Sequence, residues 1–253
     1  MDFSVREIWC GKTGRRIYGE LYLPERAGKM PLVVYSHEIG YDHTTGRRYA
    51  GHLASKGVAT YMFDFCGGSD NSKSEGSTYD MTVFTEVDDL GTVMGEAENW
   101  DFVDKKRTVL MGASQGGLVT AIYAGRNPDK AAAMVLLYPA FPIPVEIRKE
   151  FGSLDNVPEE QFYRNWIHSG KRYFEELWDY DTYSEIEDFT NPVLILHGGA
   201  DRLVELKYSQ RAVEIYADAE LHVLPEAKHG FNHEQAAGAI EYMDGFLERV
   251  GIY

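Results

Sequence analysis

The sequence of 253 residues has no run of 18 or more apolar residues, so no membrane-spanning helix is expected. It does not open with a basic segment followed by an apolar one, so a secretory signal is not expected and a cytoplasmic location is predicted. Cysteine is scarce: Cys10 and Cys66 are the two examples and lie far apart in the chain. Two such thiols in a cytoplasmic protein are more often free than paired.

Basic residues are also few: the chain has 25 basic against 40 acidic residues and a formal net charge of −15. This balance argues against nucleic acid and anionic membranes as partners, because both would repel the protein. His229 and His233 have the spacing of a metal pair, but Gly230 lies between them and no third ligand stands at suitable spacing. Neither a metal nor another cofactor is therefore expected.

Hydrophobic residues make up 44% of the chain, enough for a full core, and α/β domains of this length commonly fold as one unit. Strand-like and helix-like segments alternate along most of the sequence, which predicts a mostly parallel sheet of the eight-stranded type with helices on both faces. The first two strands are separated by a turn-like segment and predict an antiparallel N-terminal edge. The predicted strands are Phe3–Trp9, Arg16–Leu23, Leu32–Tyr35, Val58–Phe63, Arg107–Met111, Ala132–Leu137, Val193–Leu196 and Glu220–Leu224. The predicted helices are Arg47–Lys56, Met81–Trp100, Leu118–Arg126, Val204–Tyr216 and His233–Arg249.

The alternation is interrupted between about residues 140 and 190 by a polar segment that is rich in large aromatic residues. A simple strand–helix unit does not need so long an excursion. The segment is either an inserted cap over the sheet or a set of surface helices whose aromatic side chains pack downward, and we favour the cap. With no internal repeat or linker elsewhere, we predict a single domain over residues 1–253.

One short stretch combines the end of a predicted strand, a turn of small residues and the start of a predicted helix. This is Gly112-Ala113-Ser114-Gln115-Gly116, in which the serine would stand at a strained corner with its hydroxyl exposed. A Gly-x-Ser-x-Gly pattern alone is weak evidence, because a serine in a glycine-rich turn can simply cap a helix. A serine nucleophile also needs a base and a group that orients the base.

Asp201 and His229 each follow a predicted parallel strand, at the sheet edge where open α/β sheets bind ligands. The chain order Ser114, Asp201, His229 is that of the α/β-hydrolases. Asp201 could alternatively cap the helix that follows it.

The chain resembles the α/β-hydrolases, and in detail the small bacterial carboxylesterases of the cinnamoyl and feruloyl esterase type. The matching segments are Val33-Val34-Tyr35-Ser36-His37, Phe63-Asp64-Phe65-x-Gly67, Met81-Thr82, Gly112-Ala113-Ser114-Gln115-Gly116-Gly117, Leu196-His197-Gly198-x-x-Asp201 and His229-Gly230-Phe231. The resemblance implies an α/β-hydrolase fold, a Ser114, His229 and Asp201 triad, and an oxyanion hole formed by the backbone N–H groups of Gln115 and Ile39.

The sequence departs from the family where a glycine usually follows the histidine of the first loop. Here the loop reads His37-Glu38-Ile39, and a glutamate pointing inward would oppose a developing oxyanion. Since only the amide of Ile39 is needed, we expect the Glu38 side chain to point away.

The predicted function is hydrolysis of small soluble esters through an acyl-enzyme, with hydroxycinnamoyl esters as one candidate class. Trp166, Tyr173 and His37 are candidate substrate contacts, and a tyrosine hydroxyl in the cap would suit a phenolic acyl group. The alternatives are a serine peptidase or amidase of the same fold, which usually carries a large extra domain, and a binding protein that has lost the chemistry. A homodimer is left open.

Overall fold

The predicted α/β fold is confirmed by a computed structural model, which describes all residues from 1 to 253. The main sheet has eight strands in the order β1-β2-β4-β3-β5-β6-β9-β10, and a separate two-stranded sheet pairs β7 with β8. The strands are β1 (Phe3–Lys12), β2 (Arg15–Pro24), β3 (Met30–Ser36), β4 (Ala59–Phe63), β5 (Val103–Ala113), β6 (Ala133–Leu137), β7 (Glu160–Tyr163), β8 (Ile167–Gly170), β9 (Val193–Gly198) and β10 (Ala219–Leu224). The helices are α1 (Arg47–Ser55), α2 (Val83–Ala97), α3 (Gln115–Arg126), α4 (Ile143–Phe151), α5 (Lys171–Leu177), α6 (Thr182–Ile186), α7 (Lys207–Ile215) and α8 (His233–Arg249).

The predicted antiparallel edge is also present: β1 pairs antiparallel with β2, and β2 antiparallel with β4. The remaining main-sheet pairs are parallel, and every residue of the central strands β3, β4, β6 and β9 is buried. Strands covered on both faces need apolar side chains on both faces, which explains the continuous apolar runs in the sequence. Two hydrophobic clusters, of 46 and 22 buried residues, contain side chains from the central strands.

The register of the central strands brings their carboxyl ends to one level. Ser36 at the end of β3 lies beside Gly112 of β5, and Ala113 lies beside Leu137 at the end of β6. Leu137 in turn lies beside Leu196 of β9. The loops that leave these strands therefore start next to one another, and this edge of the sheet positions the candidate site.

The helix boundaries differ from the predictions where side chains fix the preceding loop. Helix α2 begins at Val83 instead of residue 81 because Thr82 caps it in a reciprocal box with Thr85. Helix α7 begins at Lys207, not at Val204, whose backbone N–H donates to Asp201. Helix α3 begins at Gln115, earlier than the predicted residue 118, so Gly116 and Gly117 lie inside the helix.

The segment between β6 and β9, which we call the insertion (residues 138–192), contains α4, the β7–β8 hairpin, α5 and α6. Several of its aromatic side chains, among them Phe141, Tyr163, Tyr173 and Phe174, are at most 3% exposed and belong to the larger core cluster. None of the helices in the structure is both long and apolar enough to cross a membrane.

Candidate active site

The turn between β5 and α3 holds Ser114 in a backbone conformation that residues other than glycine rarely adopt, with φ 52° and ψ −118°. Two glycines make this corner possible. A Cβ at Gly112 would collide with the carbonyl oxygen of Gly116, and a Cβ at Gly116 would collide with the carbonyl oxygens of Ser36 and His37. Helix α3 therefore packs directly against the loop after β3, and the serine hydroxyl stands at the carboxyl edge of the sheet.

The structure brings Ser114, His229 and Asp201 together in one hydrogen-bonded row. Ser114 Oγ lies 2.8 Å from His229 Nε2, and His229 Nδ1 lies 2.8 Å from Asp201 Oδ2. Since the carboxylate accepts a hydrogen bond from Nδ1–H, the other ring nitrogen carries no hydrogen and can accept a hydrogen bond from the serine hydroxyl. These residues come from three separate loops, after β5, β9 and β10, and are up to 115 positions apart in the chain.

Asp201 is held by the loop that follows β9. Its Oδ1 accepts hydrogen bonds from the backbone N–H groups of Leu203 and Val204, both at 2.9 Å. Burial by itself raises the pKa of this carboxyl, but the hydrogen bonds of His197, His229 and the Val204 N–H outweigh it and place the pKa far below its ordinary value. Asp201 is therefore a fixed negative charge beside the imidazole.

His197 is a neighbour of the site whose position the sequence did not reveal. Its ring is fully buried, with Nδ1 2.8 Å from Ser209 Oγ and Nε2 2.9 Å from the carbonyl oxygen of Val204. The same Nε2 lies 3.4 Å from Asp201 Oδ2. The ring thus connects α7 to the Asp201 loop and helps to fix the carboxylate.

A cavity opens beside the serine and is lined mainly by apolar side chains. It contains about 400 Å³ of space outside the protein atoms, open solvent included, and both Ile39 and Gln115 line it together with Ser114 and His229. No backbone carbonyl in the surrounding turns accepts a hydrogen bond from the N–H of Ile39 or of Gln115. These two groups therefore remain available to an oxygen atom bound next to Ser114.

The side chain of Gln115 forms hydrogen bonds both to helix α2 and to the insertion. Its Nε2 donates to Glu86 Oε2 at 2.9 Å, and its Oε1 accepts from the Tyr173 hydroxyl at 2.6 Å. Glu86 is 1% exposed and its other carboxyl oxygen has no hydrogen-bond partner. Burial, reinforced by the charge of Asp89, raises the pKa of Glu86 well above its usual range, which favours the neutral form of its carboxyl.

The three predicted substrate contacts end up in different places. Trp166 is 39% exposed and lines the cavity, and Tyr173 lines it while fully buried. The hydroxyl of Tyr173 donates its hydrogen to Gln115, so towards a phenolic substrate it could act only as a hydrogen-bond acceptor. His37 does not line the cavity. Its ring is buried, with Nδ1 2.7 Å from the carbonyl oxygen of Glu38 and Nε2 accepting from the Phe65 N–H at 3.1 Å.

Glu38 and Tyr138 form a second polar pair close to His229. The Glu38 carboxylate accepts hydrogen bonds from the hydroxyls of Tyr138 and Thr45, each at 2.9 Å, and from Tyr35 at 3.5 Å. The ring of Tyr138, whose φ is 38°, packs edge-on against His229 at a centroid distance of 5.0 Å. Glu38 does not line the apolar cavity but an adjoining one that also contains Ser114 and His229.

Asp42, His43 and Asp64 place three possible metal-ligating atoms within 4.8 Å of one another. Both oxygens of Asp64 accept hydrogen bonds from the protein: Oδ1 from the backbone and the ring of His43, and Oδ2 from the Lys73 N–H. Asp42 caps the short helical turn that begins at His43. These hydrogen bonds fix the loops after β3 and β4 and occupy the oxygens of Asp64, which fits a structural role better than a metal site.

Comparison with known proteins finds relatives that are similar to this chain in sequence and in fold. The chain is 27% identical to a monoacylglycerol lipase of Mycolicibacterium smegmatis, with 89% of each chain covered. It is 24% identical to acylamino-acid-releasing enzyme 1 of Oryza sativa, over 60% of this chain but 20% of that protein. Its fold is similar to that of Est1E from Butyrivibrio proteoclasticus with ferulic acid bound, at a TM-score of 0.87, 25% identity, and coverage of 96% and 99% of the two chains.

Residues 47–250 match the prolyl oligopeptidase family, that is, most of the chain. The chain therefore belongs to the prolyl oligopeptidase family, among the serine-hydrolase-type α/β-hydrolases.

Proposed function

We propose that this protein is a serine carboxylic-ester hydrolase that works through an acyl-enzyme. The observation that carries the proposal is the row Ser114, His229 and Asp201, with both contacts at 2.8 Å, beside two unengaged backbone N–H groups. A nucleophile, a base, an orienting acid and oxyanion donors in one cleft are the parts that acyl transfer requires.

In the proposed reaction, His229 Nε2 takes the hydroxyl proton of Ser114 as Oγ attacks the ester carbonyl carbon. The negative charge that develops on the carbonyl oxygen is met by the N–H groups of Gln115 and Ile39, and Asp201 stabilises the imidazolium. His229 then gives its proton to the leaving alcohol, and the acyl group stays on Ser114. Water repeats the sequence and releases the acid.

The lining of the cavity supports an aromatic or medium-length acyl group. Ile39, Ala140, Ile143 and Trp166 present apolar surface close to Ser114, and burying such surface against an acyl chain is favourable. The structurally similar Est1E binds ferulic acid, which makes hydroxycinnamoyl esters the first aromatic class to test. We place the acyl group here, with Trp166 as one wall.

A fluorophosphonate probe tests the central claim, because it reacts with an activated serine and not with an ordinary one. The wild type should be labelled, and Ser114→Ala, with an unchanged circular dichroism spectrum, should not. Equal labelling of both proteins, or of neither, would contradict the proposal and favour a binding protein on this fold. A panel of esters from acetate to ferulate then ranks the acyl groups, and faster turnover of short aliphatic esters would refute the aromatic assignment.

A peptidase or amidase is the second candidate, supported by the family itself and by the similarity to the rice acylamino-acid-releasing enzyme. The same triad can cleave either bond, since His229 would protonate an amine as readily as an alcohol. Hydrolysis of a p-nitrophenyl ester should be compared with that of an N-acyl-aminoacyl anilide sharing the same acyl group. A higher kcat/KM for the anilide would replace the esterase proposal with the peptidase one.

A further inference from the structure

The cleft has two arms that meet at Ser114 and His229. The arm described above is lined by Gln115 and the apolar side chains, while the other is lined by Glu38, Tyr41, Tyr138 and Gly230, and Trp166 lies between the two and lines both. Because the histidine protonates the leaving group, that group must lie on the side of its ring. Tyr138 packs against that ring at 5.0 Å and belongs to the second arm, which we take as the leaving-group arm.

The leaving-group arm contains a carboxylate whose partners carry no charge. Glu38 accepts hydrogen bonds from the hydroxyls of Tyr138, Thr45 and Tyr35, and these neutral groups stabilise the negative charge without cancelling it. The other carboxylate near His229, Asp201, is fully buried and committed to the imidazole and to backbone N–H groups. Glu38 is half-buried, so its remaining lone pairs and its charge can act on a bound molecule.

Two aromatic residues with much of their surface exposed line the same arm as this carboxylate. Tyr41 is 55% exposed and Trp166 is 39% exposed, and both line the same arm. Their positions are set by a turn in which the Tyr41 N–H donates to the Glu38 carbonyl at 3.2 Å, with Gly40 at φ +74°. A Cβ at Gly40 would lie 3.3 Å from the Cβ of Trp166, so the turn packs closely against the tryptophan.

An arm that combines a carboxylate with exposed aromatic side chains is an environment that favours an organic cation. The ring faces attract positive charge, and the carboxylate supplies the counterion in a partly desolvated cleft. We propose that the leaving-group arm selects esters whose alcohol carries a positive charge, such as an amino alcohol or a quaternary ammonium alcohol, with Glu38 as the specificity-determining residue. The inference rests on the proposed function, and the reaction is the same hydrolysis: the ester gives the acid and the cationic alcohol.

The test compares choline butyrate with 3,3-dimethylbutyl butyrate, which have the same acyl group and nearly the same shape but differ in one positive charge. In the wild type, kcat/KM for the choline ester should exceed that for the neutral ester about 10- to 50-fold. In Glu38→Gln the ratio of the two values should fall to about 1–3, because the counterion is removed while the hydrogen-bonding shape is kept. A wild-type ratio near unity, or a ratio that survives in Glu38→Gln, overturns the proposal.

A matched control separates a local effect from the overall negative charge of −15. Glu234 is exposed in the first turn of α8, five positions after His229, and Glu234→Gln changes the net charge by the same amount. It should leave the ratio within about twofold of the wild type, since exposed charges are screened by salt. A fall equal to that of Glu38→Gln would assign the preference to general steering and overturn the local site.

Binding can also be measured without turnover. Ser114→Ala titrated with each ester in a calorimeter should bind the choline ester more tightly, by at least about fivefold, and adding Glu38→Gln should abolish the difference. Equal binding of the two esters overturns the cation site. If p-nitrophenyl esters are not hydrolysed but this difference in binding is found, the esterase proposal fails and the cation site stands.

Discussion

The loops after β5, β9 and β10, which we call the floor of the cleft, and the insertion are built in different ways. On the floor, Ser114, Asp201 and His229 follow strands β5, β9 and β10 of the same sheet and are connected by hydrogen bonds of 2.8 Å, and Asp201 also accepts from two backbone N–H groups. The insertion is joined to this floor through the Tyr173 hydroxyl on Gln115, and Trp166 stands 39% exposed at its edge. In the proposed reaction the floor supplies the reacting groups, held by these hydrogen bonds, and the insertion supplies apolar surface for the substrate.

This difference predicts that substitutions on the floor lower kcat and that those in the insertion mainly change KM. Ser114→Ala should lower kcat by about 10⁴- to 10⁶-fold, and Asp201→Asn by about 10⁴-fold, because the nucleophile or the orientation of its base is lost. Steady-state kinetics with a p-nitrophenyl ester measure both, with thermal melting as the control for folding. A Ser114→Ala protein with more than about a hundredth of the wild-type kcat would break the comparison.

Glu86, which accepts a hydrogen bond from Gln115, is expected to make the free energy of unfolding depend on pH. Burial raises the pKa of the carboxyl in the folded protein, while in the unfolded chain the group ionises near its ordinary value. Above that value the folded state binds one more proton than the unfolded state, so the free energy of unfolding falls as pH rises, by about 1.4 kcal/mol per pH unit. This continues until the pH reaches the raised pKa.

Glu86→Gln keeps the hydrogen bond to Gln115 and removes the ionisation. Its stability relative to the wild type should therefore increase as the pH rises above the ordinary pKa of a glutamate, by up to about 1.4 kcal/mol for each pH unit. Urea unfolding at pH 5, 6 and 7 measures the difference, with Asp88→Asn, an exposed carboxyl on the same helix, as the control expected to give a constant difference. A constant difference for Glu86→Gln would show that its carboxyl is charged in the folded protein.

The smallest effects are expected in the insertion. Trp166→Ala should raise KM for an aromatic ester by about three- to tenfold and leave kcat within about twofold, since it removes apolar contact made equally in the ground and transition states. Tyr173→Phe should instead lower kcat by about two- to fivefold, because Gln115 loses a hydrogen bond that fixes the oxyanion turn. If both variants changed KM alone, the hydrogen bond between Tyr173 and Gln115 would have no effect on the oxyanion turn.

The sequence predicted the fold well because its signals are local. Apolar runs such as Leu32–Tyr35 and Val193–Leu196 predicted buried parallel strands, and these lie within β3 and β9. The positions of Ser114, Asp201 and His229 just after strands predicted that they would meet, since parallel strands end at one edge of a sheet, and the structure places them in hydrogen-bonding distance. Their catalytic roles remain predictions for the kinetic experiments.

Other contacts around the site had no local signal. Glu86 lies 29 positions before Gln115, and Tyr173 lies 58 positions after it. The apolar patterns of their helices predict which faces are buried, but not which polar side chains form hydrogen bonds with each other. His37 belongs to a segment that resembles an esterase loop, yet its ring is turned inward, where Phe65 and the Glu38 carbonyl occupy both nitrogens. Burial of a polar ring is stable only when such partners are present, and the sequence does not show them.

Outside the insertion, the sequence by itself determined the order of strands and helices, the strained serine turn and the loops that carry Asp201 and His229. Periodicity, glycine positions and chain order depend on neighbours a few residues apart, so they can be read along the chain. Only the tertiary structure decided that Glu38 pairs with three hydroxyls beside His229 and that Gln115 joins Glu86 to Tyr173. Those contacts depend on how distant loops approach one another, and this is fixed by packing of the whole sheet.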